Sequence, residues 1–125
     1  MLDELEKYTN DHFFYNSVKP LEEVCNAPKT GSGVYVVYSL ALGNVNLVYV
    51  DSYGEDNEGL YNSILKDSKL ESWKVKFLSE QIDAIDIYWF ETNDDKHSDD
   101  PIMILDGLFQ DYLDIYGELP PWNND

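Results

Sequence analysis

The stretch Gly33-Val-Tyr-Val-Val-Tyr-Ser-Leu40, followed closely by Asn46-Leu-Val-Tyr-Val-Asp51, decides the fold. Both segments are rich in β-branched and aromatic residues, which are typical of strands. Gly43-Asn44 lies between them and is a turn signal, so the two segments predict a β-hairpin.

Downstream of the hairpin, the sequence alternates between polar, helical and extended patterns. Leu60 and Ile64 lie one helical turn apart, and Ile85-Asp-Ile-Tyr-Trp-Phe-Glu-Thr92 is a third strand-like segment. The predicted order is a polar loop over 51–58, helices over 59–66 and 72–81, a strand over 85–92 and an acidic loop over 93–100.

The last predicted helix has the clearest periodicity in the chain. Pro101 opens it, Gly117 ends it, and apolar residues recur between them at helical spacing. The tail that follows, Leu119-Pro-Pro-Trp-Asn123, is apolar enough that we expect it to pack back on the body of the protein.

The organisation is that of one α/β domain. The 125 residues contain no internal repeat and no Gly/Ser/Pro-rich linker. We therefore expect a three-stranded, mostly antiparallel sheet flanked by helices over residues 33–125. Residues 1–32, with a short helix over 2–8, are expected to form an N-terminal extension packed on that domain.

The charge is strongly one-sided. Twenty-five acidic residues face eight basic ones, for a net charge of −17, and all eight basic residues are lysines. Nucleic-acid binding depends on Lys and Arg that neutralise phosphates, with Arg favoured for bidentate contacts. The charge therefore disfavours nucleic acid as a partner, unless the few lysines cluster.

The sequence contains no membrane-span pattern, no signal-peptide pattern and no second cysteine for a disulfide. No apolar run is long enough for a membrane span, and the acidic start Met1-Leu-Asp-Glu is unlike a signal peptide, so we expect a cytoplasmic protein without membrane association. Cys25 is the only cysteine and reads as a structural thiol. The acidic loop with His97 lacks the pattern of a calcium-binding loop and reads as a solvated loop.

The hairpin also carries a family resemblance. Gly33-Val-Tyr35 in the first strand and Tyr49-Val-Asp51 at the end of the second resemble the paired signatures of the GIY-YIG nuclease superfamily. The later helix, the aromatic third strand, the acid in the last helix and the closing Leu-Pro-Pro-Trp-Asn look similar to small bacterial members in the same order. The resemblance covers residues 31–124.

The resemblance implies specific catalytic roles. Tyr35 and Tyr49 would help to activate the attacking water, and Asp106 stands where the family has a glutamate that binds one divalent metal. The implied cofactor is Mg²⁺ or Mn²⁺, required only if the protein is active as a nuclease, and otherwise no cofactor is expected.

The same resemblance breaks at two positions. Asp51 replaces the second signature's glycine and adds a negative charge where a phosphate would bind. Ser63 aligns with the family's arginine, and no arginine exists anywhere in the chain. Lys66, one turn away, could bring a charge to a bound group but not a planar bidentate fork. Loss of a preorganised cation at a phosphoryl transition state slows the reaction by several tenfold steps.

Three functions remain open on the sequence. The favoured one is a catalytically impaired GIY-YIG-like protein retained for binding or regulation, with a small ligand or, preferably, a protein as its partner. The second is a weak metal-dependent endonuclease that uses Tyr35, Tyr49 and Asp106. The third is an acidic mimic of nucleic acid that inhibits a DNA-binding protein by occupying its basic surface.

Overall fold

Four strands form one antiparallel sheet in the computed structural model, which describes residues 2–124 except for the side chain of Asp67. The spatial order is β1-β4-β2-β3, so β2 lies inside the sheet and β3 at an edge. The prediction of three strands is wrong, and the prediction of a single α/β domain is confirmed. The strands are β1 (Thr9–Tyr15), β2 (Gly33–Ala41), β3 (Asn44–Tyr53) and β4 (Ile82–Glu91).

The strand missing from the prediction is β1, which lies in the N-terminal stretch. It pairs antiparallel with β4, with Phe13 opposite Ile87. Only Phe13 and Tyr15 of this strand are buried, and its first four residues are exposed. Two alternating residues after a polar run are too short a pattern to reveal a strand, because the pairing with β4 and not the local sequence decides its conformation.

The predicted hairpin is confirmed, with a tighter turn and a longer second strand. Leu42 and Gly43 form the turn, and both have positive φ (53° and 79°), as the favoured two-residue hairpin turn requires. The register places Tyr35 opposite Asp51 and Val37 opposite Tyr49. Since β3 continues to Tyr53, Asp51 lies within a strand and not at the start of a loop.

The helices follow the predicted order. The helix predicted over 59–66 is present and shorter by one residue, and the one predicted over 72–81 begins three residues earlier, at Lys69. The final helix has the predicted ends: the Asp100 carboxylate accepts from the Ile102 N–H, and Gly117 stops the helix with φ of 78°. The helices are α1 (Leu21–Val24), α2 (Gly59–Leu65), α3 (Lys69–Ser79) and α4 (Pro101–Tyr116). Short 3₁₀ helices cover Asp3–Lys7, Glu55–Asn57, Lys66–Ser68 and Pro121–Asn124.

The two faces of the sheet support two separate apolar clusters. Tyr35 and Val37 project toward α2, α3 and the tail residue Trp122. Val34 and Val36 project to the other face, where Leu105 and Leu108 of α4 cover them. The alternation along β2 thus fills both clusters, and the buried Trp122 confirms that the tail packs on the body. No helix in residues 2–124 combines the length and the apolar character needed to cross a membrane.

Candidate functional site

A cleft of about 520 Å³ opens where the end of β3 meets α2, the start of α3 and the first turn of α4. Its wall is polar and mixed in charge, and the two lysines, Lys66 and Lys69, are outnumbered by four acids. The lining residues are Ser32, Asp51, Ser52, Tyr53, Gly54, Glu55, Glu58, Ser63, Lys66, Lys69, Asp100, Pro101 and Ile102. Asp51 and Ser63, the two positions at which the resemblance breaks, therefore meet in one place with Lys66.

Tyr35 lies beneath the cleft and has no exposed surface. Its ring centroid lies 6.0 Å from that of Tyr49, so the structure brings the two signature tyrosines together. The Tyr35 hydroxyl makes no well-formed hydrogen bond within the described residues. Burial, followed by the proximity of Tyr49 and Asp51, raises the pKa of Tyr35 well above its usual value. The hydroxyl is therefore protonated at neutral pH and shielded from solvent water.

Asp51 is the centre of the polar network in the cleft. Its Oδ2 atom accepts hydrogen bonds from the Tyr49 hydroxyl and from the Lys69 ammonium group, each at 2.8 Å. Its Oδ1 atom accepts from the Ser52 N–H at 2.8 Å. The side chains of Lys69 and Asp51 are only 20% and 25% exposed. The Asp51 carboxylate is thus already bound to the Tyr49 hydroxyl and the Lys69 ammonium group, which an anionic ligand would need.

Lys69 lines the cleft, although the sequence pattern did not single it out as a site residue. Its ammonium nitrogen lies 6.0 Å from the centroid of the Tyr35 ring. Ser68, with φ of 57°, turns the chain between α2 and α3 and places Lys69 at the cleft. A positive φ at serine has no reliable signal in sequence, since glycine, asparagine and aspartate are the residues enriched there.

Ser63 and Lys66 have structural partners. Ser63 is buried, and its Oγ atom accepts from the Gly54 N–H at 2.8 Å and lies 3.1 Å from Oε1 of Glu58. Lys66 is half-exposed and pairs with Glu58 at 2.8 Å. The hydrogen bond from Lys66 lowers the pKa of Glu58 and keeps this carboxylate negative at the mouth of the cleft.

Asp106 does not line the cleft. It is exposed on α4, which packs on the face of the sheet opposite to that from which Tyr35 projects. Among residues 2–124, no group of three or more His, Cys, Asp or Glu side chains converges in a way that could hold a metal ion. The structure therefore does not bring Asp106 together with Asp51, Ser63 and Lys66 in the cleft.

The lysines of α3 do not form a continuous basic strip over Tyr35. Lys69 pairs with Asp51, and Lys76 lies 5.6 Å above the ring of Trp122. Lys74 is exposed on the helix. A strip of this kind is what a bound phosphate backbone would require.

Asn123 of the tail fixes the edge of the sheet next to the site. Its side-chain amide accepts from the Val50 N–H at 3.0 Å and donates to the Val50 carbonyl at 2.8 Å. Val50 lies between Tyr49 and Asp51 on β3, so Asn123 holds the strand that positions both side chains. The closing Pro-Trp-Asn was noted in the sequence, but only the structure gives this positioning role.

We expect Asn123→Ala to lower the free energy of unfolding by about 1–3 kcal/mol, because two backbone groups of the edge strand lose their partner. Asn124→Ala, at the exposed neighbouring position, is the matched control and is expected to change it by less than about 0.5 kcal/mol. Urea denaturation followed by tryptophan fluorescence measures both. Equal stabilities for the two variants would contradict the role given to Asn123.

No protein-family model, curated protein or solved structure matches this chain. The function must therefore be argued from the geometry of its own residues.

Proposed function

We propose that this protein is a GIY-YIG-like domain that has lost effective nuclease chemistry and acts as a binding or regulatory protein with a protein partner. One observation supports this most strongly: the Asp51 carboxylate accepts hydrogen bonds from both Tyr49 and Lys69. A scissile phosphate would have to displace a carboxylate that is already bound to the groups it needs.

The state of Tyr35 supports the same conclusion. A general base must lie within hydrogen-bond reach of the proton it removes, directly or through one water. Tyr35 has no exposed surface, and burial raises its pKa, so it neither meets a solvent water nor ionises near neutral pH. The buried ring is better explained as part of the core beneath the cleft.

The charges around the cleft disfavour nucleic acid. Asp51, Glu55, Glu58 and Asp100 line it, and its two lysines each pair with one of these acids. The net charge of −17 repels DNA at long range as well. A basic protein surface has the complementary charge.

We expect the purified protein to cleave neither supercoiled plasmid nor single-stranded DNA in the presence of Mg²⁺ or Mn²⁺. Tyr35→Phe and Asp106→Ala proteins, purified in the same way, are the controls for contaminating nucleases. The measurement is the rate of plasmid nicking on gels. The proposal requires that the wild-type rate does not exceed that of the variants.

A weak nuclease is the second candidate, and the position of Lys69 favours it. Its ammonium group lies near Tyr35, where it could replace the missing arginine as a point charge. In that case the wild-type protein cleaves, and Tyr35→Phe, Asp106→Ala and Lys69→Met all abolish cleavage. That result would contradict the proposal that nuclease activity is lost and would establish the protein as a nuclease without arginine.

A further inference from the structure

A second cavity, of about 320 Å³, lies outside the cleft, on the face of the sheet that α4 covers only in part. Three aromatic rings form much of its wall: Tyr38 of β2 with Tyr88 and Phe90 of β4. The other lining residues are Leu2, Asp3, Glu6 and Asn10. We call this set of seven residues the aromatic corner.

The two tyrosine rings of the aromatic corner stand nearly at right angles. Their centroids lie 5.5 Å apart with an interplanar angle of 77°. His12 stacks on Tyr88 at 4.6 Å and 8°, and the His12 Nδ1 atom lies 2.8 Å from the Asp86 carboxylate, which is itself buried. This stack fixes the Tyr88 ring from one side. Both tyrosine rings line the cavity, and a cation within about 6 Å of the face of such a ring is attracted by the ring quadrupole.

The charge at the aromatic corner selects the same class of ligand. Asp3 and Glu6 are exposed at its rim, and none of its lining residues is basic. Lys7, a neighbour in the chain, lies over the Tyr8 ring at 5.1 Å and not over this cavity. Leu2 and Phe90 add an apolar wall, which suits the methylene stem of a long cationic side chain.

We propose that the aromatic corner binds a lysine or arginine side chain from a basic segment of a partner protein. The cationic head lies against the Tyr38 and Tyr88 rings, and the stem lies along Leu2 and Phe90. Asp3 and Glu6 attract the neighbouring basic residues of the same segment. This inference deepens the proposed function, on which the choice of a protein as partner rests, and it names the chemistry of that partner.

Fluorescence anisotropy with a labelled Gly/Ser peptide that carries a Lys-Lys pair tests the proposal. We expect saturable binding at low salt, and at least tenfold weaker binding of the same peptide with both lysines acetylated. An Arg-Arg version is expected to bind as well. Equal affinity for the acetylated peptide would overturn the proposal, because acetylation removes the charge and leaves the stem.

Variants separate the aromatic corner from the general charge of the protein. Tyr88→Leu is expected to weaken binding roughly two- to thirtyfold, whereas Tyr88→Phe, which keeps the ring, retains it. Asp3→Asn with Glu6→Gln is compared with Glu22→Gln and Glu23→Gln, which make the same charge change on the exposed surface of α1. If both double variants weaken peptide binding equally and Tyr88→Leu has no effect, the peptide binds through the net charge of the protein and the proposal is wrong.

An NMR titration of isotope-labelled wild-type protein does not depend on how the variants fold. The Lys-Lys peptide is expected to shift the resonances of Tyr38, Tyr88 and Phe90, and shifts confined to Asp51 and Lys69 would overturn the proposal. The plasmid assay on the same preparation keeps the two proposals distinguishable. If the protein cleaves the plasmid, the proposed function is wrong. If it neither cleaves the plasmid nor binds the peptide, only the proposal for the aromatic corner is wrong.

Discussion

Gly33→Ala is expected to lower the free energy of unfolding by roughly 3 kcal/mol or more. A Cβ atom at this position would lie 1.9 Å from the Phe90 carbonyl oxygen and 2.9 Å from its carbonyl carbon. Both atoms belong to the backbone of β4, which pairs with β2, so no side-chain rotation relieves the overlap. The two strands would have to separate at the first residue of β2. Urea denaturation followed by circular dichroism measures the change.

Gly107→Ala is the matched control for this substitution. A Cβ atom there meets nothing within 4 Å, and the residue lies inside α4. Alanine is favoured over glycine in a helix interior by about 1 kcal/mol, so this variant is expected to be more stable than the wild type. If Gly33→Ala were as stable as the wild type, β2 and β4 would not approach each other as described.

Raising the pH above 10 is expected to unfold the protein cooperatively. Burial, together with the Asp99 carboxylate, raises the pKa of Tyr8 from 10.0 to about 12. Burial also raises the pKa of Tyr35 and Tyr53, whose hydroxyls have no well-formed hydrogen bond within the described residues. Each folded pKa lies above the unfolded value, so the folded state holds more protons in this range. The stability from these groups is complete below pH 10 and declines as the pH rises toward 12 and beyond.

Simultaneous measurement of tyrosinate absorbance and far-ultraviolet circular dichroism against pH tests this expectation. Part of the absorbance should rise together with the loss of secondary structure, because the buried tyrosines ionise only when the chain opens. Tyr53→Phe removes one such group and is expected to move the transition to higher pH. Complete tyrosine ionisation with an intact dichroism spectrum would contradict the burial described for Tyr35 and Tyr53.

The sequence predicts the parts of the fold whose patterns are local. The hairpin from Gly33 onward and the final helix between Pro101 and Gly117 each carry their own strand, turn or cap signals, and both are present. The first strand has no such pattern, since it depends on a partner far along the chain. Local propensity cannot report a pairing of that kind.

The sequence predicts some residues of the candidate site but not the hydrogen bonds between them. The departures at Asp51 and Ser63 are visible in the sequence, and both residues line the cleft. The hydrogen bond from Lys69 to Asp51 depends on the turn at Ser68. The hydrogen bond between Asn123 and Val50 of β3 depends on how the tail folds back. The position of Asp106 depends on the face of the sheet that α4 covers, which helical periodicity alone does not determine.

The strand order β1-β4-β2-β3 also constrains how the chain folds during its synthesis. β2 and β3 can pair as soon as both have left the ribosome, because a two-residue turn joins them. β1 emerges first, yet its pairing partner β4 is made after α2 and α3, so the N-terminal strand waits longest for its hydrogen bonds. Pairing between distant segments is slow because the intervening chain must first be closed into a loop. Since the first four residues of β1 stay exposed even in the folded sheet, we expect this segment to remain hydrated until residues 82–91 have been made.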